Sequence, residues 1–212
     1  MKNKLTIIAD LSYPIKSGMP TFPGDGELSL CRQHEYSLDK YRLSSLYTPL
    51  HAGTHIDMPS HLTADKRMVL DFNPAAFAAT AVYIDCSNTQ EIIYRSEYRD
   101  MIKPGDALLI RTDFADLYAE PERYYNDFPV ITEEFADFIC ESGISILGLD
   151  TPSPDHEPYT LHKKLLEHGI FIVENLTNLK TLTELPPRSF TFMALPLKLD
   201  AEASPVRAVA VK

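Results

Sequence analysis

The run from His51 to His61, read as His-Ala-Gly-Thr-His-Ile-Asp-Met-Pro-Ser-His, constrains this chain more than any other stretch of it. It concentrates three of the seven histidines and one carboxylate in eleven residues. Neutral imidazole and carboxylate are the standard ligands of zinc and similar divalent ions. Fully extended, His51 to Asp57 would span about 20 Å at roughly 3.3 Å per residue, whereas ligands must converge to about 2 Å from one ion. The chain must therefore turn sharply inside the run. Gly53 tolerates the dihedrals of such a turn, and Pro59 discourages a helix through its position. The plain alternative is a surface loop that happens to hold three histidines, but helix or strand packing alone has no need of such a set.

Around this run the composition is that of an ordinary soluble globular protein, with 44% hydrophobic and 24% charged residues in 212. That length supports a substantial core in one domain or two small ones. A net charge of -10 argues against a nucleic-acid surface, which is normally basic. Lys2 and Lys4 are followed by only a short apolar run, so no signal peptide is expected. No apolar run approaches the roughly 20 residues of a membrane span. Cys31, Cys86 and Cys140 are odd in number and widely spaced. They read as buried, reduced thiols of a cytoplasmic protein, and nothing supports a cysteine nucleophile.

The spacing predicts buried strand from Leu5 to Leu11, then an ordered loop over 12–25 whose prolines and glycines forbid regular structure. Leu28 to His34 and Tyr41 to Leu50 read as antiparallel strands about a turn at 37–40. After the histidine run, the polar stretch 63–67 and the residues to 72 read as a solvated turn. Thr80 to Cys86 and Ala107 to Thr112 read as strands, with a helix predicted over Glu91 to Met101 between them. Tyr118 to Pro129 reads as a surface excursion. Thr132 caps a helix with Glu133 and Glu134 at its positive end, and Gly143 stops it. Ile144 to Leu149 is apolar enough for a sheet covered on both faces. It gives way to a loop at 150–156, the kind of junction where catalytic groups often sit.

Next come a helix from Thr160 to Gly169 and a strand from Ile170 that delivers Glu174. Glu174 lies between Val173 and Leu176, where an unpaired buried charge is expensive, so it needs a partner. Taken alone, His162 reads as a surface helix histidine and Glu174 as an ion-paired strand end. His156 and His168 fall outside the site. Two further strands, Ser189 to Leu199 and Pro205 to Val211, complete the chain. Strands outnumber helices, with the helices between the later strands, which supports one compact α/β domain over residues 1–212 with mixed strand pairing.

The histidine run resembles the signature H-x-G-T-H-x-D-x-P-x-H of the bacterial kynurenine formamidase (arylformamidase) and cyclase-like metal hydrolase family, with every specified position matched. The segment around Met19-Pro20-Thr21-Phe22-Pro23-Gly24-Asp25 resembles the family's M-P-x-aromatic-P-G-D. The block from His162 through Glu174-Asn175-Leu176 resembles the second half of the family site. One departure is that many members carry a glycine-rich turn before S-P-x-R-A, and residues 200–204 contain no glycine.

The resemblance implies a β/β/α barrel-like core with flanking helices. It implies two divalent metals per chain, zinc or alternatively manganese, with His51, His55 and Asp57 on one and a bridging Asp57, His162 and Glu174 on the other. It makes His61 a catalytic proton shuttle, Phe22 a wall of the substrate pocket, and the stretch 63–72 a loop that closes over the site as a second wall. The implied reaction is attack of a metal-activated hydroxide on an amide, converting N-formyl-L-kynurenine to L-kynurenine and formate. The alternatives are an isatin-type cyclic-amide hydrolase of the same family and a non-catalytic metal or small-ligand binding protein. A homodimer or higher homo-oligomer is expected, with no nucleic-acid or membrane partner.

Overall fold

The near-continuous apolar strands of the sequence form one sheet that closes on itself, in a computed structural model that describes residues 5–212. Lys2 and Lys4, on which the signal-peptide expectation drew, lie outside the described residues. In chain order the strands are β1 (Ile7–Asp10), β2 (Ser29–His34), β3 (Leu43–Tyr47), β4 (His55–Asp57), β5 (Ala78–Asp85), β6 (Glu91–Ile92), β7 (Ala107–Arg111), β8 (Val130–Ile131), β9 (Ile146–Leu149), β10 (Phe171–Glu174), β11 (Phe190–Pro196) and β12 (Ala203–Val211). The helices are α1 (Tyr36–Asp39), α2 (Tyr98–Met101), α3 (Pro121–Tyr124), α4 (Glu133–Ser142) and α5 (Thr160–Glu167).

The main sheet runs β1-β12-β11-β5-β7-β9-β10-β4, and β4 pairs back onto β12. Seven strands therefore close a mixed barrel, with β1 attached outside the ring. Closure rests on the length of β12, whose residues 203–205 pair with β4 while 209–211 pair with β1. The stretch β5-β7-β9-β10 is parallel and the other pairings are antiparallel. Every residue of β7 and β9 is buried, as expected of parallel strands covered on both faces. Alternate side chains feed two cores. Leu109, Ile146 and Val173 pack with Ile56 and Phe192, whereas Leu108, Leu147 and Ile172 pack against Phe135 and Ile139 of α4 and Leu165 of α5. Helix α4 begins and ends where the sequence places it. Thr132 Oγ1 accepts from Phe135 N–H at 3.4 Å, and Gly143 takes a left-handed φ of 68° that suits a residue without Cβ. Among the described residues no helix is long and apolar enough to cross a membrane.

Several local expectations are corrected. Residues 91–101 are not one helix. Ile92 is buried in β6, paired in parallel with Ile131 of β8, so only the single turn α2 forms. Tertiary pairing of β-branched residues has overridden local helical spacing. Tyr118 to Pro129 is not a surface excursion, because Tyr118, Tyr124, Tyr125 and Phe128 are buried. Stretch 63–72 does not line the pocket. It docks on the turn before β12, with Val69 N–H bonded to Ala201 O, and Val69 enters the core. Strand β1 is an edge strand with Ile7 exposed, and Cys31 is exposed rather than buried. The 37–40 turn between β2 and β3 is the short helix α1 followed by Lys40 at positive φ.

Candidate metal centre

Barrel closure brings the two halves of the sequence motif together. His55 and Asp57 are two residues apart on β4, so both side chains leave the same face. Glu174 on β10 stands directly opposite His55 in the register. Near the start of α5, His162 points at the same place. The Asp155 carboxylate holds that helix terminus by accepting from Leu161 N–H at 2.7 Å and His162 N–H at 3.2 Å. His51 reaches the site from the tight turn before β4. There Gly53 has φ +64°, and a Cβ on it would lie 2.8 Å from Met19 Cε, so both conformation and space call for glycine.

The donor atoms form one cluster. Asp57 Oδ1 lies 3.0 Å from His51 Nδ1 and 3.5 Å from His55 Nε2, and its other oxygen lies 3.3 Å from His162 Nε2. Glu174 completes the set at 3.3 Å from His55 Nε2 and 3.6 Å from His162 Nδ1. Atoms each about 2.1 Å from one tetrahedral ion stand roughly 3.4 Å apart, so these separations suit shared ions. A sharper test of fit is hydrogen bonding. His55 Nε2, both Asp57 oxygens, His162 Nε2 and Glu174 Oε1 are buried and have no hydrogen-bond partner. Orphaned buried polar atoms are costly, and five converging on one spot fit a divalent cation. Neighbours outside the cluster hold these donors in place. His55 Nδ1 lies 2.9 Å from Gly53 O, which only accepts, so the ring proton sits on Nδ1 and Nε2 is left free. Asn175 Nδ2 donates to the same carbonyl, and Tyr124 O–H donates to Asn175 Oδ1 at 2.8 Å.

Electrostatics follow from this crowding. Burial works against ionisation of Asp57, but His51 and His55 outweigh it and hold its carboxyl well below the usual range. Burial pushes Glu174 up, with the Asp57 charge adding to the rise. Burial also opposes protonation of His51, yet Asp57 and then Glu202 overcome it and push its pKa up to about 11. An ion binding His51 would therefore displace a proton. Burial brings His61 down to about 4, helped by neighbouring imidazoles and opposed by Asp57, so it is neutral at pH 7.

All the sequence candidates meet here. His51, His55, His61, His162 and Glu174 line one cavity of about 700 Å³, and Phe22 forms part of its wall. Asp57 belongs to both of the tight donor sets, His51–Asp57–His61 and His55–Asp57–Glu174. His61 thus stands close enough to His51, at 4.3 Å between rings, for a ligand role as well as a shuttle role. Sequence reasoning missed Tyr125 and Tyr159, which line the cavity, and Glu202, whose Oε1 is 3.6 Å from His51 Nε2. It also missed Asn175 as a brace. The aromatic density of 118–128 was the available signal for Tyr125, and no local signal marks Glu202.

A family model described as a putative cyclase matches residues 9–156. A kynurenine formamidase of Bacillus cereus is 32% identical over 208 residues, covering 94% of this chain and 95% of that protein. One from Bacillus mycoides is also 32% identical over 208 residues with the same coverage. Among solved structures, isatin hydrolase A from Ralstonia solanacearum matches with a TM-score of 0.83 at 22% identity, over 98% of this chain and 92% of that one. Isatin hydrolase A from Labrenzia aggregata, bound to benzyl benzoate, matches with 0.82 at 23% identity over 98% and 93%. At these identities the structures speak for the fold.

Proposed function

Because this chain belongs to the putative cyclase family, we propose that it is a metal-dependent amide hydrolase whose substrate is an N-formyl arylamine, N-formyl-L-kynurenine, cleaved to the free amine and formate. The observation that carries this is the convergence of five orphaned, buried donor atoms on one point at the floor of an aromatic-walled cavity. The full-length match to kynurenine formamidases supports the choice of amide. His51, His55, Asp57, His162 and Glu174 would hold two divalent ions. Zinc suits this histidine and carboxylate set, and manganese is the alternative. Bound there, such ions supply a Lewis acid for the carbonyl and bring the pKa of water towards neutrality.

The chain's own residues do the rest. Phe22, Leu62, Tyr125 and Tyr159 wall the cavity and exclude water from the face of an aryl ring. Neutral His61 accepts a proton from water at a ring nitrogen as the water oxygen bonds to the formyl carbon. It returns that proton to the amide nitrogen as the C–N bond breaks, because an unprotonated amine leaves poorly. The neutral arylamine leaves with formic acid, which ionises in water to formate and a proton.

The assembly we propose is a homodimer or higher homo-oligomer. Its support is the β2–β3 arm, where Leu30, Leu43, Leu46 and Tyr47 are all exposed. An isolated two-stranded hairpin is marginal in water. A cytoplasmic setting is supported by three free cysteines. The activity is tested by assaying the purified, metal-loaded protein against N-formylkynurenine, isatin and simple esters. Formamide hydrolysis is expected to dominate. Isatin opening without it would move the substrate to the cyclic amides, and bound metal with no turnover would make the chain a binding protein.

A further inference from the structure

The cavity is lopsided in charge. Its floor holds the imidazoles and Glu174, its mouth holds Asp25, and among the described residues no lysine or arginine lines it. Asp25 ends the turn that starts at Phe22, closed by Asp25 N–H donating to Phe22 O at 3.1 Å. Its side chain is exposed, and among the described residues it has neither a hydrogen bond nor an ion pair. Three aromatic rings share the cavity with it. Phe22 meets Tyr125 edge-on at 5.4 Å between centroids, and Tyr159 lines the same cavity. Burial pushes the Tyr125 and Tyr159 hydroxyls up, and the Asp25 charge makes a smaller contribution to the rise in each.

An unpaired carboxylate beside aromatic faces is the combination that holds an ammonium group. The charge supplies attraction, and the ring quadrupoles add to it. A carboxylate in the same place would meet repulsion and find no cationic partner. With the scissile amide at the metal cluster and the aryl ring between the walls, the far end of the substrate lies at the mouth. We propose that Asp25 reads an aliphatic ammonium at the end of the substrate remote from the scissile amide, and that the pocket leaves a carboxylate there unread. The substrate class is then aryl formamides bearing an ammonium side chain. This rests on the amide-hydrolase reading above. In N-formylkynurenine the α-ammonium is the recognised group and the α-carboxylate faces water.

Three formamides separate these groups: N-formylkynurenine, its decarboxylated analogue that keeps the ammonium, and its deaminated analogue that keeps the carboxylate. The decarboxylated compound is expected to match N-formylkynurenine in kcat/KM or exceed it. The deaminated one should fall by about tenfold, mainly through KM, the scale of one charge-assisted contact at a partly exposed site. Asp25→Asn should bring the ratio between N-formylkynurenine and the deaminated compound close to one. Equal turnover of all three by the wild type, a loss on removing the carboxylate as large as that on removing the ammonium, or an unchanged ratio in Asp25→Asn would each overturn the proposal. Calorimetric binding of the three arylamine products reads the same preference without turnover. If none of the formamides is hydrolysed, the activity reading fails, and the product-binding order still decides for or against Asp25.

Discussion

Glu202 Oε1 stands 3.6 Å from His51 Nε2, on the far side of the imidazole from Asp57. The backbone fixes this arrangement, because Met58 N–H donates to Glu202 O at 2.9 Å and the next residue, Ala203, pairs with Asp57. If His51 binds a metal through Nδ1, its remaining N–H faces Glu202, the usual way a carboxylate fixes a ligating histidine. Glu202→Ala should lower metal affinity by roughly 10- to 100-fold. Glu202→Gln, which keeps an acceptor oxygen, should recover part of it. Competition with a chromogenic chelator measures both variants, and affinities equal to wild type would remove Glu202 from the site.

Asp57 faces three histidines, His51 and His55 through one oxygen and His162 through the other, whereas Glu174 faces only His55 and His162. Asp57→Ala should therefore lose both ions, while His51→Ala should weaken mainly one. Elemental analysis after dialysis gives the stoichiometry. Two tightly retained metals per chain in Asp57→Ala would end the shared-carboxylate arrangement.

How much of this was readable beforehand depends on how local each signal is. The His51–His61 run announces itself because ligands close in sequence force a turn, and Gly53 sits at the turn with positive φ. Glu174 was legible as a carboxylate with apolar neighbours. Its place opposite His55 was not, because only the antiparallel pairing of β10 with β4 sets the two face to face. Glu202 was hidden further still. It reaches His51 through closure of the barrel, and no periodicity encodes that contact. Tyr125 was misread because its polar, proline-bounded surroundings look like surface, whereas its ring is buried against Phe22 and Tyr124. Residues 91–101 failed for the opposite reason, since good local helical spacing lost to the pairing of Ile92 with Ile131.

The β2–β3 arm gives a prediction about assembly. Among the described residues its apolar side chains are left largely open, with Tyr47 70% exposed and Leu43 and Leu46 about half exposed. A patch of this kind on a hairpin of marginal stability is best covered by a second copy. Sedimentation equilibrium at micromolar concentration should show at least a dimer, and Leu43→Asp with Leu46→Asp should shift it to monomer. A wild-type monomer would refute the assembly.

His61 is where geometry leaves the sharpest choice, because it stands against His51 and also faces His162 across 5.6 Å between rings. As a proton shuttle, it contributes to rate and not to metal retention. His61→Ala should then keep both the fold and the metal content and lose about 10²- to 10⁴-fold in kcat, the usual contribution of a general acid–base group. KM should change less, since the amide carbonyl would still find its place at the floor of the cavity. As a ligand, His61 would instead take metal with it when removed, and the orphaned Asp57 oxygens would lower thermal stability as well. A merely structural histidine would leave both quantities near wild type. Burial leaves the His61 imidazole neutral at pH 7, so a ring nitrogen is open as a proton acceptor in the shuttle role and as a donor atom in the ligand role alike. One preparation of His61→Ala, measured for metal stoichiometry and for kcat on N-formylkynurenine, separates the three roles. Full metal with an undiminished kcat would sink the mechanism argued here, since His61 is the side chain it relies on to move the proton.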